Sequence, residues 1–240
     1  MEEDGYRVMF EVEERHWWFR GRRAVIRALL GRSGPRPSER ILDVGCGTGM
    51  NLELYGRMGR AEGVDLSPQA AAFCRRRGLE AMQLGDAQAL PFDDAGFGLV
   101  AATDVLEHVP NPEVALAEMR RVAVPGASLL LTVPAYQWLW SEEDERLGHH
   151  RRYTLPRLRS AAEGAGWAPV VGTYFNSFML APIALARALR GRGNGRSELE
   201  RTPRWADEPL SVPMRAEARL IAAGLSLPAG VSIGLVCRRD

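Results

Sequence analysis

The sequence predicts an α/β protein organised on a parallel sheet, and three observations predict it. Short apolar runs alternate with helical stretches from Ile41 to about Val133. Ser67-Pro68 and Asn111-Pro112 each place a capping side chain before a proline, so helices are expected to begin there. Glycines cluster directly after the first apolar run, where a strand would turn into a helix. Strand alternating with helix implies a sheet covered on both faces.

The elements follow in order. Residues 14–30 set Trp18, Phe19, Val25, Ile26, Leu29 and Leu30 on one stripe beside arginines, before Gly31, Gly34, Pro35 and Pro37 break the pattern. Residues 1–37 are therefore expected to be a helical cap and linker. A core over 38–175 should carry strands at 41–44, 61–65, 80–84, 97–102 and 128–133, a helix from Thr154 and a strand near 168–175. An insertion over 176–228 follows, either a lid or an interface. It opens with an apolar stretch from Phe178 to Leu189 interrupted by Pro182, continues through a glycine- and arginine-rich middle from Gly191 to Pro209 that is expected to be mobile, and ends in a helix over Met214 to Ala223. Residues 229–240 should close the sheet with a strand near 231–237. No internal repeat is visible.

A chain of 240 residues that is 46% hydrophobic can bury one sizeable core, which fits one domain with trimmings. Basic and acidic residues number 31 and 30, so no global field draws the chain to nucleic acid or to an anionic membrane. All the basic residues are arginines, and the absence of lysine excludes a P-loop nucleotide site and Schiff-base chemistry on a protein amine. Cys46, Cys74 and Cys237 lie far apart with no C-x-x-C pair, which argues against a zinc ribbon or a disulfide framework and fits a reducing cytoplasm. The acidic N-terminus and the lack of an apolar run of roughly 18 residues point to a soluble, unexported chain.

In open α/β sheets ligands bind beyond the carboxyl ends of the strands, and Gly45, Gly47 and Gly49 sit at the first such end. Without Cβ atoms they permit strained angles and close approach, while the amides that open the next helix attract an anion. Asp65 ends the second strand about 20 residues on, where a carboxylate can accept both hydroxyls of a ribose. Met50 stands where a dinucleotide fingerprint needs its third glycine, so a nucleoside fits better than a pyrophosphate. Asp86 follows the third strand and could accept an exocyclic amine of adenine, with Leu66 and Leu90 closing on the ring faces.

Ile-Leu-Asp-Val-Gly-Cys-Gly-Thr-Gly, Gly-Val-Asp-Leu-Ser, Gly-Asp-Ala-Gln-Ala-Leu-Pro-Phe and Asp-Val-Leu-Glu-His-Val together resemble the successive motifs of class I S-adenosylmethionine-dependent methyltransferases, over roughly residues 38–135. The resemblance implies a Rossmann-like, doubly wound, seven-stranded, mostly parallel sheet with one antiparallel strand. It also implies S-adenosyl-L-methionine as cofactor and S-adenosyl-L-homocysteine as product. Carried over by position, Gly45, Cys46, Gly47 and Gly49 would cradle the methionine portion, with Asp43 organising the loop. Asp65 would hold the ribose, Asp86 and Ala87 the adenine with Leu66 on its ring face, and Thr103, Asp104 and Val105 the sulfonium side. Arg20, on an N-terminal helix of the kind that closes over the cofactor in related enzymes, would meet its carboxylate.

Methyl transfer needs alignment, exclusion of water and, for a hydroxyl or activated carbon, a base. His149 and His150 lead the candidates, followed by His108. Tyr136, Trp138, Trp140, Trp17 and Phe178 are candidates to wall an acceptor pocket, and Arg151, Arg152 and Tyr153 to hold an anionic substrate group. The alternative is that the tryptophans are core and the arginines pair with Glu142, Glu143 and Asp144. No metal is expected, because adjacent histidines on a loop diverge. The acceptor should be a small molecule, lipid-like or a secondary metabolite, with oxygen favoured over nitrogen or carbon. Arginines flanking the apolar stretch at 178–189 allow a weak membrane-surface contact. A nicotinamide oxidoreductase and a non-catalytic cofactor-binding protein are the rival readings, and nothing in the sequence sets the oligomeric state.

Overall fold

The computed structural model describes residues 3–33, 40–190 and 202–240. Its centre is one seven-stranded sheet in the order β3-β2-β1-β4-β5-β7-β6. The strands are β1 (Arg40–Val44), β2 (Arg60–Asp65), β3 (Met82–Leu84), β4 (Phe97–Thr103), β5 (Ala123–Pro134), β6 (Trp167–Phe175) and β7 (Ser232–Arg239). The pairs among β1 to β5 are parallel, whereas β7 runs antiparallel to both β5 and β6. The chain reverses outward from β1 and β4, so the ends of those two strands form the crevice where ligands bind in such sheets.

Alternation explains why both faces are covered. Leu42, Val100, Ala102, Leu129 and Leu131 join one buried cluster with residues of α5 (Pro112–Val122) and α7 (Leu155–Gly164). Their chain neighbours Ile41, Leu99, Ala101 and Leu130 join a second cluster with α2 (Trp17–Ser33), α3 (Met50–Gly56) and α9 (Arg204–Ala222). Side chains on a strand alternate faces, so a strand apolar at every position is stable only with helices on both sides. Each of these fully buried aliphatic side chains contributes about 1.5–3 kcal/mol.

The expected elements are present with shifted limits. β3 is shorter than the run at 80–84, because it is an edge strand bonded only to Gly63–Asp65 of β2. β5 begins five residues before 128, pairing Ala123 with Phe97 ahead of a register shift. Ser67 caps α4 (Pro68–Arg76) by accepting from the Gln69 amide, and Thr154 caps α7; Asn111 precedes α5 without a side-chain cap bond. The N-terminal region is two helices, α1 (Glu3–Val12) and α2, rather than one.

The insertion departs furthest from expectation. Pro182 lies in the first turn of α8 (Leu180–Arg190), where no intrahelical amide is lost, so the helix is not interrupted there. Arg204 to Pro209 belongs to α9, which keeps Pro209 and Pro213 within it, whereas residues 191–201 lie outside the described residues. α9 packs along α2, and Gly21 permits this, since a Cβ there would come within 2.7 Å of Met214. Asp207 of α9 accepts the Trp17 amide and so caps α2, while Glu217 accepts the Asn176 and Ser177 amides just after β6. No described helix is long and apolar enough to cross a membrane.

Candidate active site

The turn after β1 adopts the conformation its glycines allow, with φ of 67° at Gly45, 56° at Gly47 and 85° at Gly49. At Gly45 a Cβ would also lie 2.5 Å from Val105 Cγ2, so both conformation and space exclude a side chain. The Gly45 amide donates to the Val64 carbonyl at 2.8 Å, and the Gly47 amide donates to Asp65 Oδ2 at 2.9 Å. Asp65 Oδ1 accepts the Ser67 amide at 2.9 Å and the Tyr6 hydroxyl at 3.3 Å. One carboxylate thus ties the ends of β1 and β2 to α1.

α1 lies over this turn. Thr48 donates its hydroxyl to Glu13, whose carboxylate also takes Arg77 at 2.7 Å, and Arg77 donates to the Thr48 carbonyl at 3.0 Å. Cys46 and Cys74 are free and buried beneath the loop, as is Cys237 elsewhere in the core. The Cys74 thiol donates to the Gly47 carbonyl at 3.4 Å.

Asp43 does not organise the loop by hydrogen bonds. It is buried, neither carboxylate oxygen has a hydrogen-bond partner, and burial pushes its pKa up to about 8 against the opposing charge of Arg22. Asp86 accepts the Gln88 amide at 2.8 Å and stays half-buried beside Ala87, while Leu66 is 73% exposed at the rim. Thr103 accepts from the Asn51 amide group at 2.9 Å. Asp104, at φ 57°, pairs with Arg22 and accepts the Thr132 hydroxyl at 3.1 Å, next to Val105.

Arg22, not Arg20, reaches this crevice from α2. The helical turn points position 20 outward to exposed Glu208 at 2.9 Å and position 22 inward. Trp17 is likewise a core residue rather than a pocket wall, because the helix begins at that residue and turns its ring onto Phe178 and Trp18.

One strand further along, the loop after β4 and the segment after α6 (Glu142–Leu147) bring a second group together. The rings of His108 and His149 meet edge to face at 4.6 Å. His149 Nδ1 lies 2.8 Å from Asp144 Oδ1, and Arg152 grips Asp144 through Nε at 2.8 Å and Nη2 at 2.9 Å. Although burial opposes it, hydrogen bonds from His149 and Arg152 hold Asp144 well below the usual carboxylate range. Burial, and then the charge of His149, push His108 down to about 4. Glu107, absent from the sequence-derived candidates, is 1% exposed with both oxygens unpartnered, and burial raises its pKa well above normal. One ligand-type atom each of Glu107, His108 and His149 lies within 4.8 Å of the others.

Several expected site residues fall outside this group. His150 is exposed and meets Glu107 only through its backbone amide, at 2.7 Å, because adjacent side chains diverge. Arg152 is committed to Asp144, so the pairing alternative holds for it. Tyr153 is core, 2% exposed, with its hydroxyl donating to the Leu106 carbonyl. Arg151 donates to the Pro110 carbonyl at 2.9 Å. Tyr136 stacks against Tyr174 and Trp138, the latter 59% exposed, and Trp140 donates to Glu145. Phe178 is half-buried against Trp17.

Residues 42–131 match a family model described as a methyltransferase domain, from within β1 to within β5. These residues are a methyltransferase domain of the S-adenosylmethionine-dependent class. Among curated proteins, the demethylmenaquinone methyltransferase of Tropheryma whipplei is 31% identical over 63% of this chain and 61% of its own. The ubiquinone biosynthesis O-methyltransferase of Hahella chejuensis is 35% identical over 40% of this chain and 43% of its own. The chain spans between about a third and three fifths of the length of the curated relatives it matches. Among solved structures, a chain of the Haloferax volcanii complex of the Trm112 methyltransferase activator with a methyltransferase superposes at a TM-score of 0.64. It is 19% identical and covers 99% of this chain and 94% of its own, a likeness of fold.

The turn after β1 fits S-adenosylmethionine on two counts, a cradle that a Cβ would fill and a carboxylate at the second strand end.

Proposed function

We propose that the protein transfers a methyl group from S-adenosylmethionine to a hydroxyl of a small molecule. The observation that carries this reading is the Asp144–His149 pair one strand beyond the glycine cradle. The cofactor supplies a methyl carbon on a sulfonium, and the C–S electron pair returns to sulfur as the acceptor oxygen's pair forms the C–O bond.

The chain's own residues do the rest. Asp144 accepts a hydrogen bond from the Nδ1–H of His149, which leaves Nε2 with the lone pair that takes the acceptor's proton. Arg152 and the capping serine Ser141, whose amide donates to Asp144 at 2.8 Å, fix that carboxylate. His108, neutral near pH 7, places no cation beside His149. Asp65 accepts the ribose hydroxyls, and the loop amides close on the methionine portion. α1 shields the turn from water through Glu13, Arg77 and Thr48. Curated relatives named as O-methyltransferases, of ubiquinone biosynthesis and of fatty acids, support an oxygen acceptor.

Calorimetric titration with S-adenosylmethionine and with NAD separates this reading from an oxidoreductase. Incubation with methyl-labelled cofactor and a panel of phenols, carboxylic acids and amines then tests the acceptor atom. Label on amines alone would overturn the oxygen assignment, and no heat with the sulfonium compound at millimolar levels would overturn the reading.

A further inference from the structure

Glu107, like Asp43, is a buried acid with neither carboxylate oxygen hydrogen-bonded. A carboxyl buried to 1% exposure without a hydrogen bond keeps its charge only where a cation compensates it. The nearby guanidinium groups do not pair with it, since Arg22 pairs with Asp104 and Arg152 with Asp144. What lies beside it is imidazole, His108 and His149, with one ligand-type atom of each residue within 4.8 Å of the others.

We propose that Glu107, His108 and His149 form a binding site for one divalent cation of the zinc type. Two imidazoles and one carboxylate suit zinc better than magnesium, which prefers an all-oxygen shell. Three protein ligands leave a coordination position open for an exogenous oxygen. The surrounding groups are those that orient ligands. Asp144 holds His149 Nδ1 at 2.8 Å, which leaves Nε2 for the ion, and the Gly148 carbonyl engages the His108 ring. Ligand atoms around zinc lie about 3.3 Å apart, so the cluster must contract on the ion from its spacing of up to 4.8 Å.

The inference rests on the methyl-transfer reading for its purpose. An acceptor hydroxyl at the open position is acidified by the ion, gives its proton to water and keeps the oxygen pair that attacks the methyl carbon. In that state His149 holds the cation instead of accepting the proton.

The test uses the full chain, stripped with a chelator and titrated with Co2+ as a visible-spectrum probe. One equivalent should bind with ligand-field bands and be displaced by one equivalent of Zn2+. Affinity should fall at least 100-fold in Glu107→Gln and in His149→Ala, about tenfold in Asp144→Asn, and stay unchanged in His150→Ala. Circular dichroism and S-adenosylmethionine binding verify that each variant is folded, and His108→Ala substitutes for any that is not. Absence of a stoichiometric spectrum, or bands that persist in the His108→Ala/His149→Ala double variant, overturns the site. Stripped protein that takes up no Co2+ yet transfers methyl groups overturns the ion and leaves the base reading. A Co2+ site in protein that ignores the sulfonium compound upholds the ion and removes the methyl-transfer reading.

Discussion

The two ends of the crevice are built differently. At the glycine turn, the chemistry is carried by backbone amides and one carboxylate, drawn from adjacent strands and tied together at 2.9 Å. At the proposed acceptor end it is carried by side chains from segments about forty residues apart, His108 and His149, held by Asp144 and Arg152. The first is a surface shaped to bind and the second a cluster that can move a proton or hold a cation. Binding and turnover should therefore separate on mutation.

The largest effect falls on the acceptor end. His149→Gln should lower kcat by about 10²–10⁴, the usual weight of a positioned base, and leave the Kd for S-adenosylmethionine within about twofold. Rapid-quench turnover beside calorimetry measures both. A parallel loss of cofactor affinity would mean that the two ends are one unit.

Asp65→Ala should do the reverse. It removes the tie to the Gly47 amide and the proposed acceptor for the ribose hydroxyls, and hydrogen bonds to a charged group contribute about 1.5–3 kcal/mol each. Cofactor Kd should rise about 10²–10³-fold, with kcat at saturation largely kept. Unchanged affinity would sink the assignment of Asp65 to the ribose.

The same contrast explains how much was legible in the sequence. Gly45, Gly47, Gly49 and Asp65 have roles set by a strand, a turn and a helix start within a few residues, so local pattern is enough. The closing strand near 231–237 was legible in the pattern, whereas its antiparallel direction followed from the family resemblance. Arg22 was missed in favour of Arg20 although its spacing from Trp18, Ile26 and Leu29 sets it on the apolar stripe, because an arginine there has no visible purpose until the fold brings Asp104 opposite it. Glu107 was missed, and Asp144 was weighed only as an arginine partner, because a buried acid looks like any capping or surface acid until its partners are known. His149 was separated from His150 only by the fold, which turns one inward and leaves the other exposed.

Asp43 offers a third probe, of stability rather than chemistry. Burial, opposed by Arg22 and assisted by Asp65, raises its folded pKa to about 8 from an unfolded value near 3.8. The folded state then holds a proton the unfolded state has lost, so this group's contribution is full below about pH 3.8 and disappears as pH rises through 8. The stability of Asp43→Asn relative to the parent should climb between those limits, by at most about 1.4 kcal/mol per pH unit. Urea melts of both proteins without cofactor at pH 5, 6, 7 and 8 measure the difference. A flat difference would show that Asp43 is ionised throughout.

The smallest effect concerns α1. The Tyr6 hydroxyl donates to Asp65 Oδ1 at 3.3 Å, and that oxygen already accepts the Ser67 amide. A ribose that uses Asp65 must displace the phenol, so α1 competes with the ligand it shelters. Tyr6→Phe removes the competing bond and keeps the ring that packs over the turn. A neutral-to-charged hydrogen bond at the long end of the range is worth about 1 kcal/mol, which converts to a cofactor Kd about fivefold tighter. The gain should appear in the association rate if α1 must lift before the ribose enters, and stopped-flow mixing with S-adenosylmethionine resolves it. Weaker binding in Tyr6→Phe would instead make the tyrosine a partner of the bound cofactor, and the turn at Asp65 would then be a site that α1 completes.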